Sequence, residues 1–340
     1  MKKFRYILFP FTLLYAGITS VRNWLYDKQI IKSVEFELPV INVGNLSVGG
    51  TGKTPMIEYL IRLLQPRYKI AVVSRGYKRK TKGFIVADDK STPEQIGDEP
   101  YQIFRKFEDI IVAVGEDRVE AVRKVLVNFS PDVILLDDAF QHRRIKAGLN
   151  ILLTPFDRPF TRDFILPAGD LRESRKNAKR ADIVLVTKSP AELSPSVQKK
   201  ISKDIQSYTE APVYFSFIRY VDSVISKNAS IPVETLKEYG ILVVTGIARP
   251  EPLLQYLSEK NLNFDVLKFS DHHHFSKADI QKINKSFNAI KAKNKLILTT
   301  EKDFVRLQNH FSGNLYYLPI NTEINEKNKF NQKILDYVRK

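Results

Sequence analysis

The sequence contains no cysteine in 340 residues, which excludes disulfides and thiolate-bound metals and suits a reducing compartment. It has no internal repeat and no low-complexity segment. It also lacks a clean apolar run of the roughly 20 residues that a membrane-spanning helix needs. The candidate, Tyr6 to Val21, is uncharged but is shorter than that and is interrupted by Pro10 and Gly17. Acidic residues are scarce relative to basic ones, 38 against 54, so the formal charge is +16 and the expected partner is anionic: a lipid surface, a nucleic acid or a phosphorylated substrate. What is present is apolar content of 43%, enough for a globular chain with at least one large core and room for two domains.

The most informative stretch runs from Leu38 to Thr54. An apolar segment, Val40 to Val43, leads into Ser47, Val48, Gly49, Gly50, Thr51, Gly52, Lys53 and Thr54, and a helical pattern follows. Strand, glycine-rich loop and helix in that order form a phosphate cradle, because backbone N–H groups of the loop and helix start converge on phosphate oxygens. The glycines allow close approach, Lys53 reaches the β- and γ-phosphates, the Thr54 hydroxyl ligates magnesium, and Pro55 fits a first helical turn. Ser47 stands where the strict pattern G-x-x-x-x-G-K-[ST] has its first glycine. A second half of the site is expected downstream. Val133 to Leu136 is an apolar strand that delivers Asp137 and Asp138 to its carboxyl edge, where a phosphate-bound magnesium sits; Asp137 is the first choice of ligand and Asp138 the second.

The N-terminus is membrane-seeking in pattern. Lys2, Lys3 and Arg5 precede the uncharged stretch, and Arg22 and Trp24 follow it, so a helix lying in the interface is expected rather than one that crosses. A cleaved signal peptide is the rival, but no clean small-x-small cleavage site follows and a nucleotide site must face the cytosol. Further on, strands at Ile70 to Ser74, Ile110 to Val114, Ile151 to Thr154 and Ile183 to Thr187 alternate with helical patterns such as Arg118 to Val127, which predicts an α/β doubly wound parallel sheet of the P-loop NTPase type. The pattern loosens around Pro190 to Pro212 and in the polar loop Ser226 to Pro232. It resumes with Ile241 to Thr245, Val266 to Phe269, Leu296 to Thr299 and Leu315 to Leu318 as a second, smaller α/β lobe. The expected organisation is therefore a membrane-associated helix over 1–27, a P-loop domain over 28–225 and the smaller lobe over 226–340.

Several clusters could line a cleft closing on two substrates. Asp98, in Gly97-Asp98-Glu99-Pro100, reads either as a functional acid or as a helix N-cap. Of the histidines 272–274, neighbours in sequence point in different directions, so no more than two could easily share a metal, and a histidine paired with a carboxylate is the more economical reading. Arg75, Arg118, Gln141, His142, Arg172 and Glu173 lie near strand ends, at the edge where substrates bind such sheets. Lys78-Arg79-Lys80 reads as a solvated basic turn or a contact to anionic head groups.

Taken together, the loop at 47–54, Ser-Arg-Gly-Tyr at 74–77, Gly-Asp-Glu-Pro at 97–100, Asp-Asp-Ala-Phe-Gln-His at 137–142, Leu-Pro-Ala-Gly-Asp-Leu-Arg-Glu at 166–173 and Asp-His-His-His-Phe at 271–275 resemble one family, the tetraacyldisaccharide 4'-kinases of lipid A biosynthesis. The resemblance covers nearly the whole chain, and a small residue at Ser47 is normal for that family. It implies transfer of the ATP γ-phosphoryl group, with Mg2+, to the 4'-hydroxyl of a tetraacylated glucosamine disaccharide 1-phosphate. The expected setting is the cytoplasmic face of the bacterial inner membrane, with the chain peripheral or monotopic, and with no nucleic acid and no obligate protein partner. It implies that Asp98 is the catalytic base, paired with His272, beside Lys53 as a charge-neutralising group. It further implies that Arg75, Arg118, Gln141, His142, Arg172 and Glu173 serve the substrate. The chain departs from the family pattern at Ala139-Phe140, Asp170 and Ser174.

Two rivals come from other classes. A P-loop GTPase or metal-chaperone ATPase needs a base-recognition loop such as N/T-K-x-D, but Thr187-Lys188-Ser189-Pro190 has proline at the acid, and Thr300-Glu301-Lys302-Asp303 has the wrong spacing and reads as a helix cap. A nucleic-acid-dependent NTPase would account for the charge, yet no helicase-like or base-stacking motif accompanies it.

Overall fold

The computed structural model describes residues 7–271, 273–311 and 313–339. In chain order the strands are β1 (Val40–Asn45), β2 (Ile70–Ser74), β3 (Ile85–Val86), β4 (Ile111–Val114), β5 (Val133–Asp137), β6 (Leu149–Pro155), β7 (Ile183–Thr187), β8 (Val213–Tyr220), β9 (Ser223–Ile225), β10 (Ser230–Pro232), β11 (Tyr239–Thr245), β12 (Phe264–Lys268), β13 (Asn294–Thr299), β14 (Leu315–Tyr317) and β15 (Ile320–Ile324). The helices are α1 (Phe9–Asp27), α2 (Lys53–Leu64), α3 (Pro93–Ile96), α4 (Asp98–Lys106), α5 (Arg118–Phe129), α6 (Pro195–Gln206), α7 (Glu251–Glu259), α8 (Lys277–Ala289), α9 (Glu301–Leu307) and α10 (Lys327–Val338).

The chain forms two compact units. The first comprises residues up to Ser91, Ile103–Ile218 and Thr322–Lys340; the second comprises Thr92–Gln102 and Arg219–Asn321. The first is built on a nine-stranded sheet of order β15-β8-β7-β6-β1-β5-β2-β4-β3, parallel from β8 to β4. The doubly wound arrangement expected from the alternating pattern is therefore present. β1, β2, β5 and β7 are buried along their whole length, as apolar runs in a sheet covered on both faces must be. The period of two divides the core. Ile41, Val43, Val133 and Leu135 pack with Met56, Ile57, Leu60 and Leu64 of α2, whereas Val40, Ile134 and Leu136 pack with Val119, Val122 and Val125 of α5. The chain order reverses at β1, between β5 and β6, which makes the carboxyl ends of these strands the switch point where α/β sheets hold ligands.

The second unit has a sheet of order β10-β9-β14-β13-β11-β12, in which β12, β11, β13 and β14 are parallel. Leu253 and Leu257 of α7 cover one face with Ile241, Val243 and Leu296. Ile283 and Phe287 of α8 cover the other with Leu242, Val244 and Ile297.

The passage 190–212, which reads as loosened, contains α6. Pro195 occupies its first turn, and Ile201 and Ile205, one turn apart, are its buried residues. After Asn321 the chain returns to the first unit, where Phe330 and Ile334 of α10 join the core around α2. Among the described residues no helix is long and apolar enough to cross a membrane.

Candidate active site

The loop between β1 and α2 is held from three sides. Gly49 (φ +99°) and Gly52 (φ +91°) adopt left-handed conformations that L side chains rarely take, and Gly52 directly precedes Lys53, the first residue of α2. Within the loop the Asn45 amide donates to the Ser47 carbonyl (2.7 Å) and to the Thr51 hydroxyl (2.9 Å). From β7, the Thr187 hydroxyl donates to the Thr51 carbonyl (2.7 Å) and Lys188 Nζ to the Gly50 carbonyl (2.7 Å). The Thr-Lys pair that might have read a base instead braces the phosphate loop. On the third side, Ser47 bridges antiparallel to Leu171, with Val48 N–H donating to the Asp170 carbonyl (2.7 Å) and Arg172 N–H to the Leu46 carbonyl (2.7 Å). A buried small residue at position 47 lets this strip lie against the loop entrance.

β5 brings the acidic pair to the same edge. The Ser74 hydroxyl at the end of β2 donates to Asp137 (3.2 Å), which is buried. Asp138 (φ +55°) turns to meet two cations. Arg172 donates to both of its carboxylate oxygens (2.7 and 3.1 Å), and Lys53 Nζ lies 3.7 Å away. Burial pushes the Asp138 carboxyl up, but Lys53 and Arg172 together outweigh it and hold the group below the usual carboxylate range. Arg172 also reaches the Asn45 carbonyl (3.1 Å) and side chain, so one guanidinium ties Asp138 to the start of the loop. Asp138 is thus ion-paired with Arg172 and Lys53, while Asp137 accepts from the Ser74 hydroxyl and lies in the field of Arg118. Hard oxygen donors such as Thr54 and Asp137 suit magnesium, which takes one or two carboxylates and completes its shell with phosphates and water. Among the described residues no group of three or more His, Asp or Glu gathers as a metal cage.

Arg118 opens α5 and is buried, its Nη1 donating to the carbonyls of Gly115 (3.2 Å) and Glu116 (2.9 Å). Desolvation lowers its pKa to about 10, partly opposed by the field of Asp137. Arg75 is exposed at the end of β2. His142 is driven down to about 4 by burial and by Arg118, against the attraction of Asp117, so it is neutral at physiological pH.

Gln141 and Glu173, expected to serve the substrate, have internal partners. Gln141 donates to the Asn45 carbonyl (2.9 Å) and to Glu173 (2.8 Å). Buried Glu173 also accepts from Arg180 (2.6 Å), Asn177 (2.8 Å) and Asn23 of α1 (2.9 Å). The residues at the expected departures from the family pattern are placed as follows. Phe140 is buried beneath the Arg180 guanidinium (4.4 Å to the ring centre) and lies so close to Gly44 that a Cβ there would come within 2.6 Å of the Phe140 Cβ. The Asp170 carbonyl pairs with the loop, and Ser174 caps the short helical segment that follows. Arg79 is not a solvated turn residue; its side chain is 3% exposed and is bound to Glu116 (2.6 Å) and the Gly83 carbonyl (2.6 Å).

In the second unit, Asp98 is the first residue of α4 and is engaged by Arg306 of α9. His272, its expected partner, lies outside the described residues. His273 pairs with Asp279 (3.0 Å) and packs between Phe269 and Phe275. Thr300 caps α9, as its spacing to Asp303 predicts. Arg306, Asn23 and Arg180 carry no motif, and sequence reasoning missed all three; only a polar Asn within an apolar helix was a readable signal.

A family model described as tetraacyldisaccharide-1-P 4'-kinase matches residues 4–339. Curated relatives named tetraacyldisaccharide 4'-kinase include one from Flavobacterium johnsoniae, 49% identical over all of this chain and 98% of its own length, and one from Bacteroides thetaiotaomicron, 45% identical over 98% of this chain and 93% of its own length. A crystal structure of LpxK from Aquifex aeolicus, described as an "apo" form in complex with ATP, is 31% identical and covers 98% of this chain and 99% of that one, with a TM-score of 0.81. The ordered motifs, the doubly wound fold and these matches converge: the chain belongs to the tetraacyldisaccharide-1-P 4'-kinase family.

Proposed function

We propose that the chain transfers the γ-phosphoryl group of ATP to the 4'-hydroxyl of a tetraacylated glucosamine disaccharide 1-phosphate, at the cytoplasmic face of the inner membrane. The observation that carries this reading is the gathering of Lys53, Asp137, Asp138 and Arg172 around a braced phosphate loop. In the reaction the O4'–P bond forms, the bond from the γ-phosphorus to the bridging oxygen breaks, ADP leaves, and the hydroxyl proton passes to the Asp98 carboxylate. Thr54 and Asp137 would hold magnesium, which would supply positive charge against the phosphate groups. Lys53 supplies positive charge where the transferring group becomes most negative, and Arg172, already beside Asp138, is a second cation at this edge. Gln141 and Glu173 act by fixing the strip that carries Arg172. The direct test is transfer of label from γ-labelled ATP, with magnesium and detergent, onto the tetraacyl disaccharide 1-phosphate. A labelled lipid is expected; phosphate release without it would favour a switch-type NTPase. Asp98→Ala should abolish transfer with ATP affinity nearly intact, and normal turnover in that variant would sink the base assignment.

Helix α1 supports a membrane surface as partner. Its buried residues are polar, Thr12 and Asn23, while Phe11, Leu13, Leu14, Ile18 and Val21 are about three-fifths exposed and Trp24 about half. The polar side is anchored: Tyr15 donates to the Arg172 carbonyl (3.1 Å), Ala168 N–H to Thr12 (3.1 Å), and Arg143 to the Asn23 carbonyl (2.8 Å) and to Asp27 (2.6 Å). A helix that buries its polar side and presents its apolar one matches an interfacial anchor, with nearby arginines and lysines meeting anionic head groups. Co-sedimentation with anionic phospholipid vesicles is expected, and Leu14→Asp with Ile18→Asp should abolish it. Full pelleting of that double variant would rule out α1 as the anchor.

A further inference from the structure

We propose that Arg306 is a positioning residue that fixes the Asp98 carboxylate, and that Asp303 is the buried post on which Arg306 is mounted. The inference rests on the assignment of Asp98 as the base and adds to it a part that no motif reveals. Asp98 opens α4, where its side chain could take several rotamers. Arg306 Nη2 donates to its Oδ2, while Nη1 of the same guanidinium donates to Asp303 Oδ1 (3.4 Å). The guanidinium therefore spans two carboxylates. It is itself enclosed, its side chain being 7% exposed, against 16% for Asp98 and none for Asp303.

Asp303 is held as firmly as the fold allows. Its Oδ2 accepts from the Gly246 N–H (2.8 Å) and from the Thr300 hydroxyl (2.8 Å), the same residue that caps α9. Gly246 follows β11 directly, and a Cβ there would lie 3.1 Å from Asp303 Oδ1, tighter than side chains ordinarily pack. The chain of contacts thus runs from a rigid strand end through Asp303 and Arg306 to Asp98. A second pair runs parallel to it: Lys302 Nζ lies 3.2 Å from Glu99. The charged groups around Asp98 include Arg306 from α9, with Lys302 and Asp303 beside it, and Glu99 on its own helix. Burial alone would lower the Arg306 pKa, but Asp98, then Asp303 and Glu99, push it up, so the guanidinium is charged at any working pH.

The chemistry explains why a base would be mounted this way. A loose phosphoryl-transfer transition state asks the base for accurate placement more than for strong basicity, and an adjacent guanidinium keeps a carboxylate ionised while restricting its rotamer. A bidentate fork serves this better than a lysine, although a lysine preserves the charge.

The test compares Arg306→Gln, Arg306→Lys and Asp98→Asn in the full-length protein by label transfer across pH. Arg306→Gln should lower kcat by about 10- to 100-fold with KM for ATP unchanged. It should also move the acidic limb of kcat/KM to higher pH, because a charge favouring the ionised carboxylate is gone; Arg306→Lys should restore most of both. In an Asp98→Asn background, Arg306→Gln should have no further effect on the residual rate, since its action runs through Asp98. An inactive Asp98→Asn beside an Arg306→Gln of unchanged kcat and pH profile would overturn the positioning role and leave the base assignment standing. Wild-type turnover in Asp98→Asn would overturn both. Should Arg306→Gln fail to fold, Asp303→Asn takes its place, because it loosens the guanidinium without removing it; an unchanged kcat there also counts against the proposal.

Discussion

Lys53→Ala is expected to lower the rate of label transfer by about 10²–10³-fold, the range for removing one preorganised donor to developing charge, and to weaken ATP binding as well. The lysine opens α2 directly after a left-handed Gly52, so its backbone is fixed by the loop, and its ammonium lies 3.7 Å from Asp138. With the Lys53 charge removed, Arg172 is the one cation still bonded to that carboxylate among the described contacts, and the guanidinium is drawn further into an internal ion pair rather than toward phosphate. Lys53→Arg should not rescue the rate, since a planar fork cannot replace a compact ammonium inside a loop of this curvature. Single-turnover measurements with saturating ATP separate the loss in the chemical step from the loss in binding. A variant that transfers label at the wild-type rate would refute the phosphate role of Lys53.

Much of this edge is legible in the sequence. The strand–loop–helix order at residues 40–54 and the acids at the end of β5 follow from local pattern, because glycine conformations and apolar runs are written into consecutive residues. The central strands were legible for the same reason: a strand buried on both faces leaves an unbroken apolar run. The edge elements were harder to read. β8, β15 and α10 mix polar and apolar residues because only one face is buried, and nothing in sequence announces that residues after 321 rejoin the first sheet. The hold of Arg172 on Asp138 was also hidden, since Arg172 is distant in sequence and is brought in by the bridge between Ser47 and Leu171. Arg79 misled for a related reason: a basic triplet looks solvated unless the glutamate that buries one of its members is known, and Glu116 lies far along the chain.

The largest loss of stability is expected from Glu173→Ala. This carboxylate is 2% exposed and accepts from Gln141, Arg180, Asn177 and Asn23, at 2.6 to 2.9 Å. Removing one partner of a buried pair leaves the other charge uncompensated, here Arg180 on the Phe140 ring, at a cost of about 3–5 kcal/mol. Asn23→Ala deletes only one of the four donors and should cost about 1 kcal/mol, so the ranking of the two variants distinguishes a hub from a set of independent bonds. Activity should fall with Glu173→Ala even where the protein is folded, because the neighbouring Arg172 loses its footing next to Asp138 and the strip from 170 to 172 no longer lies rigidly on the loop entrance. Urea unfolding and label transfer, measured on the same preparations, separate the two effects. Equal stability of Glu173→Ala and wild type would show that the four donors find other acceptors, and Glu173 would then have to act on the substrate directly, as the family resemblance implies.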